Sequence, residues 1–136
     1  MARQAIEDVE GIGPRIGSQL RQAGIADTDA LLAATRKAAQ RKALAEKTGL
    51  SVKQVLRFAN MVDLYRVSGI GSEYAELPEA AGVDTVPELA RRRPENLCKA
   101  MTALNAGKSL VRRLPTEADV ASWVEQAKKL PRMLDY

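Results

Sequence analysis

From Ser51 to Gly71 the apolar positions follow a helical period and then break on glycine. Val52, Val55, Leu56, Ala59 and Val62 form one stripe, with Lys53, Arg57 and Asn60 opposite, toward water. Beyond Asn60 the stripe turns. Met61, Leu64 and Tyr65 point to the other side, while Asp63 and Arg66 take the direction of the first stripe. The pattern predicts one helix over 51–67, capped by Ser51 after the stop signal Gly49, whose two halves pack into different cores. It ends at Ser68-Gly69-Ile70-Gly71, the second Gly-Ile-Gly of the chain after Gly11-Ile12-Gly13.

The remaining elements follow from the same signals. Ala2 to Val9 read as a short helix using Ile6 and Val9, broken by Glu10-Gly11-Ile12-Gly13. Pro14 suits the first position of a helix, where its missing N–H costs nothing; that helix runs to Ala23 and stops at Gly24. Ile25 is a buried plug, Asp27 a cap, and Ala30, Leu31 and Leu32 begin a third short helix. A basic helix over Thr35–Thr48 turns Leu44 and its alanines inward, with Lys37 and Arg41 facing out at i,i+4.

The same landmarks recur 58 positions later. Val9 matches Val67, Gly13 matches Gly71, Ala23 matches Ala81, Gly24 matches Gly82, Ile25 matches Val83 and Leu31 matches Leu89. Thr85 with Glu88 reads as a capping box in the place of Asp27. Pro94 opens the counterpart of the basic helix, which ends near Asn105-Ala106-Gly107. After an irregular insertion at 109–115, Thr116 caps a last helix with the stripe Val120, Trp123, Val124 and Ala127. Thr116, Val120 and Trp123 stand where Ser51, Val55 and Phe58 stand. An internal duplication therefore accounts for nearly every residue. The expected fold is all-α, a single domain over 1–136 made of a first unit at 1–67 and a second at 51–136, with helix 51–67 shared.

Composition narrows the chemistry. A chain of 136 residues can bury a real core, and nothing in it is apolar for long enough to span a membrane. No signal-peptide pattern is present, and the single cysteine, Cys98, fits a reducing cytoplasm. The absence of histidine removes the commonest general base and metal ligand, so neither catalysis nor a metal site is expected. The net charge of +4 hides alternating blocks. Residues 33–60 carry 7 basic and 1 acidic group and residues 91–113 also carry 7 and 1, whereas 61–90 carry 1 and 6. Solvated helix faces account for such blocks, and so does a partner surface of defined sign.

Helix, Gly-Ile-Gly turn, helix, then Gly-Ile or Gly-Val and another short helix resemble the helix-hairpin-helix motif. The resemblance rests on Val9, Gly11, Ile12, Gly13, Pro14, Arg15, Leu20 and Gly24, and again on Val67, Gly69, Ile70, Gly71 and Gly82. More narrowly, the stretches Asp63 to Gly71 and Leu110 to Pro115 make the whole chain similar to a bacterial domain-of-unknown-function family built of tandem helix-hairpin-helix units. That resemblance implies a fold and no established activity.

In DNA-binding members of the motif, N–H groups at the start of the second helix hold phosphate oxygens and a nearby Arg or Lys adds charge. Such an N-terminus favours anions through its unpaired donors and its dipole. The first copy fits, with Gly11, Ile12 and Gly13 supplying backbone and Arg15 charge; Arg36, Lys37, Arg41 and Lys42 on the basic helix could extend it. The second departs from the pattern. Glu73 replaces the arginine and Glu76 and Glu79 follow, so Gly69, Ile70 and Gly71 are assigned a structural role. For both turns the alternative is a connector that buries Ile12 or Ile70. Gly13 and Gly71 are expected to hold angles or contacts that a Cβ would disturb.

Other constellations carry less. Gly11, Gly13 and Gly17 miss the dinucleotide-binding spacing by one residue and follow no strand, so no cofactor is expected. Arg91, Arg92, Arg93, Arg112 and Arg113 are expected to pair with the Glu73–Glu88 block or face water, Trp123 and Phe58 to sit in the core, and Cys98 to be a buried filler. The expected function is weak, sequence-independent binding of the DNA backbone; the rival is a protein-interaction module, and no small-molecule substrate is evident.

Overall fold

The computed structural model describes residues 4–71, 74, 76–108, 111 and 113–135. Among them the regular structure is helical, with one isolated antiparallel bridge between Ala5 and Asp27. Among them, too, no helix is long and apolar enough to cross a membrane. The chain divides into two units, residues 1–63 with 132–136, and residues 64–131.

Of the helix expected over 2–9 in the first unit, Ala2 and Arg3 lie outside the described residues, and a 3-10 turn, Ile6–Asp8, stands in place of the rest. The backbone explains the difference: Ile6 N donates to Ala26 O at 3.0 Å and Thr28 N to Gln4 O at 2.9 Å, which draws the segment out straight. Helix α1 (Pro14–Gln22) follows, then α2 (Thr28–Ala33), capped by Asp27, whose Oδ1 accepts from Ala30 N at 2.8 Å. Helix α3 spans Ala38–Thr48, three residues shorter than expected. The Thr35 hydroxyl turns back to Leu31 O at 2.7 Å, and Lys37 is extended. Gly49 ends α3 in the left-handed region at φ +79°.

Helix α4 spans Val52–Leu64. Ser51 Oγ accepts from Gln54 N and the Gln54 side chain accepts from Ser51 N, both at 3.0 Å, a complete capping box. Met61, Leu64 and Tyr65 are buried as the second stripe requires, but the polar positions beside them are buried too. Every residue from Phe58 to Tyr65 is buried, including Asn60 and Asp63, which were expected to face outward or to mark a polar side. At the other end Val52, expected in the stripe, is 48% exposed. Polarity misled because α4 passes from surface to interior along its length. The core of this unit gathers Ile6, Ile12, Leu20, Ile25, Leu31, Val55 and Phe58, each buried aliphatic side chain stabilising by roughly 1.5–3 kcal/mol.

In the second unit α5 (Glu76–Ala80) packs on α7 (Pro94–Lys108), and α8 (Glu117–Lys129) packs on both α7 and α6 (Val86–Arg91). Both threonines cap as expected: Glu88 N donates to Thr85 Oγ1 and Asp119 N to Thr116 Oγ1, each at 3.1 Å, but the Glu88 carboxylate turns to Arg92 instead of completing the expected box with Thr85. Thr116 N also donates to the Asp119 carboxylate, and these bonds hold that carboxyl below the usual range. Trp123 and Phe58 are both buried, as their stripe positions predict, whereas Cys98 is only half-buried. Arg92 pairs with Glu88 at 3.1 Å. Glu73, Arg112, Ser109, Leu110 and Tyr136 lie outside the described residues, and with them the expected roles of Glu73 and Arg112.

Candidate nucleic-acid interface

The Gly11–Gly13 turn is closed by Ile12 N donating to Val9 O at 3.0 Å, and it buries Ile12 as its plug. Gly11 carries the unusual conformation, at φ +89°. Gly13 does not: its φ is −84°, and a Cβ there would meet nothing within 4 Å. The first glycine of the turn, not the last as expected, is the one that needs to be glycine.

Gly13 is instead the N-cap of α1, and it brings no side chain to that task. Pro14 has no N–H, so the first turn of α1 presents the N–H groups of Arg15 and Ile16 with no carbonyl of their own helix to bond. They border a cleft of about 360 Å³ in the first unit. Gly13, Pro14, Arg15, Ile16 and Gln19 line one side of it, and Gly49, Leu50 and Gln54, around the α3–α4 turn, line the other. Arg15 is exposed at this rim. Both walls rest on capping residues read correctly from sequence: Pro14 starts one, Gly49 and Ser51 punctuate the other.

The sequence places Arg57 opposite the apolar stripe, toward water. Its Nη1 lies 3.1 Å from where a Cβ on Gly11 would stand, with Phe58 Cε1 at 3.4 Å. The bare glycine is what lets this guanidinium lie against the turn. No local signal announces that, because the contact spans 46 positions in sequence. Glu10, exposed, directly precedes Gly11 and contributes the opposite sign. On the far side of α1, Glu7 is bonded by Arg21 at 2.8 and 2.7 Å. The Arg21 guanidinium holds the Glu7 carboxyl down to about 2, and Glu7 raises the Arg21 guanidinium in turn.

The expected contribution of 36–42 is largely redirected. Arg41 was expected to face out and is 4% exposed. Its guanidinium donates to Thr35 O at 2.9 Å, Arg36 O at 3.3 Å and Asp135 O at 2.5 Å, so the buried charge is met by three carbonyls. Arg36 Nε donates to Met133 O at 3.2 Å. Lys37 and Lys42 remain exposed.

The second turn is built as a joint. Gly69 is left-handed at φ +97°, Ile70 is buried, and Ile70 N donates to Val67 O at 3.0 Å. Its entrance is gripped from α8: Gln126 Oε1 accepts from Ser68 N at 2.8 Å, and Gln126 Nε2 donates to Ser68 O at 3.3 Å. Glu76 and Glu79 occupy the first turn of α5, where carboxylates suit the helix and repel anions.

No curated protein and no solved structure matches the chain. A family model described as Domain of unknown function (DUF4332) matches residues 10–130, from the residue before the first turn to the end of α8, and the chain belongs to that family.

Proposed function

We propose that the chain is a non-catalytic, bacterial cytoplasmic protein of two helix-hairpin-helix units, sharing the helix that includes α4, whose first hairpin binds the phosphate backbone of DNA. The repeat reading is supported by backbone features that recur at the offset of 58. Gly11 and Gly69 are left-handed, as are Gly24 and Gly82; Ile25 N bonds Leu20 O at 2.9 Å and Val83 N bonds Pro78 O at 2.8 Å.

The observation that carries the binding reading is the uncapped start of α1. The N–H groups of Arg15 and Ile16 lack a carbonyl of their own helix, both residues line the cleft, and Arg57 lies against the adjoining turn. Donors of this kind suit a phosphate oxygen, and two guanidiniums supply charge-assisted bonds. Nothing in the set reads base edges, so binding is indifferent to sequence. Acidic residues at the start of α5 and the Gln126 grip on Ser68 leave the second turn a structural part.

A protein partner is the second reading, and Val52 favours it. It is 48% exposed, an apolar side chain left on the surface in the first turn of α4. Fluorescence anisotropy of a labelled duplex at two salt concentrations separates the two. The nucleic-acid reading requires a rise at low salt that fades at high salt; a flat trace at low salt would sink it.

A further inference from the structure

Residues 132–135, which follow α8 of the second unit, stand outside any helix and belong to the first unit. Their main chain is held at three points. Asp135 N donates to Arg36 O at 2.7 Å, Arg36 Nε donates to Met133 O, and Arg41 Nη2 donates to Asp135 O. Between them the Leu134 side chain is 1% exposed. Main-chain bonds along an extended peptide, with one apolar side chain in a pocket, are how peptide grooves bind strands.

Part of the receiving side is held by bonds of its own. Arg41 Nη1 spans Thr35 O and Arg36 O, which fixes the guanidinium plane and leaves Nη2 aimed at the incoming carbonyl. Within the second unit Arg66 Nη2 donates to Pro131 O at 2.6 Å, and Leu130 and Pro131 stand outside any helix.

We propose that residues 35–41 form a peptide groove for an extended strand bearing a leucine, occupied within one chain by residues 132–135 and able to take the same segment from a second copy. Exchange keeps every bond and the Leu134 pocket, since the donor strand is identical. Only the short link through Pro131 decides which copy supplies it. A tether of that length presents its strand at a concentration on the order of millimolar, so exchange becomes populated as the protein approaches that range.

A fluorescein-labelled peptide of residues 131–135 tests the groove. Leu134→Ala in the full chain weakens the resident strand without burying a charge. This variant should bind the peptide about tenfold or more tightly than the wild type, whose groove is filled. A peptide with aspartate in place of the leucine should bind neither. The wild type, sedimented at near-millimolar concentration, should show a dimer that excess peptide disperses. A folded Leu134→Ala chain that ignores the peptide overturns the proposal, as does a wild type that stays monomeric throughout. A Leu134→Ala chain that fails to fold overturns it too, because the segment would then be an inseparable part of the core. None of these readouts involves nucleic acid, so they stand apart from the DNA-backbone reading.

Discussion

A Cβ on Gly69 would stand 2.7 Å from Trp123 Nε1, and Gly69 is left-handed at φ +97°. Gly11 has the same conformation, and there the neighbours are Arg57 and Phe58 at 3.1 and 3.4 Å. Both turns are thus places where a helix brings a large side chain onto bare backbone, and sterics and conformation act together. Left-handed backbone costs an L-residue roughly 1–2 kcal/mol before any clash. Gly69→Ala should therefore lower the melting temperature most, because the buried indole cannot swing aside. Gly11→Ala should follow, since an arginine tip can move. Gly13→Ala should be close to neutral. Equal melting of all three variants would contradict the stated geometry.

That ranking also marks where sequence was legible. Caps and stops were readable because each is a local device: Asp27, Ser51, Thr85 and Thr116 all bond an N–H three residues on, and Gly24, Gly49 and Gly82 end helices left-handed. Misreadings came where a distant partner decides. Arg41 follows a surface pattern on α3, and it is drawn inward by carbonyls at Thr35 and Asp135. Asn60 reads as a water-facing position until neighbours bury α4 on that side too. Of the candidate site, Gly11 to Arg15 were legible as a motif. Arg57 was not, because its role depends on a contact across the unit.

Arg41 should be costly to replace. A guanidinium holding three carbonyls in the interior cannot be matched by the ammonium point of lysine. Arg41→Lys and Arg41→Met should each destabilise the first unit by about 1–3 kcal/mol, the range for leaving a buried polar group without its partner. Chemical denaturation of both variants checks this. Hydrogen exchange should show early loss of protection at Asp135, whose amide bonds Arg36 O beside the lost guanidinium.

The Glu7–Arg21 pair sets an acid-sensitive contribution. The Glu7 carboxyl is held down to about 2, from an ordinary value of 4.5. A depressed carboxylate contributes stability that is fully present above its unfolded value and is lost as pH falls through the folded one. Wild type should then melt above Glu7→Gln at pH 6, and the gap should close as pH falls from 4.5 toward 2. The pair is partly exposed, so added salt should narrow the gap at pH 6 as well. A gap that persists unchanged at pH 2 would show that packing, not charge, separates the two.

Gly17 reports on the same carboxylate from the other side. A Cβ there would lie 2.5 Å from Glu7 Oε2 and 2.8 Å from Glu7 Cγ. Alanine improves a helix interior by about 1 kcal/mol over glycine, so Gly17→Ala should stabilise α1 once Glu7 is truncated. With Glu7 present, the gain should shrink or reverse, because the carboxylate must leave Arg21. A double-mutant cycle of Gly17→Ala and Glu7→Ala measures that coupling, which additivity would place at zero.

Arg57 is the side chain on which a DNA-binding first turn is most sharply tested. If DNA is held at the first turn, Arg15 and Arg57 are the cations that neutralise phosphates there, while backbone N–H groups contribute bonds but release no counterions. Two neutralised phosphates give a fall of log affinity with log salt at a slope of about −2, and Lys37 or Lys42 would steepen it toward −3 if the duplex reaches them. Arg57→Gln should flatten the slope by about one unit and weaken binding to every duplex alike. Arg15→Gln should do the same. Arg92→Gln, which breaks the bonds to Glu88 and to Gly82 O in the second unit, should leave the slope unchanged. Anisotropy titrations of one labelled duplex across a salt series give all four slopes. Should Arg57→Gln keep the wild-type slope while Arg15→Gln lowers it, the phosphate lies along the α1 cleft and away from Gly11. Should neither variant change it, the first turn is not where the duplex binds.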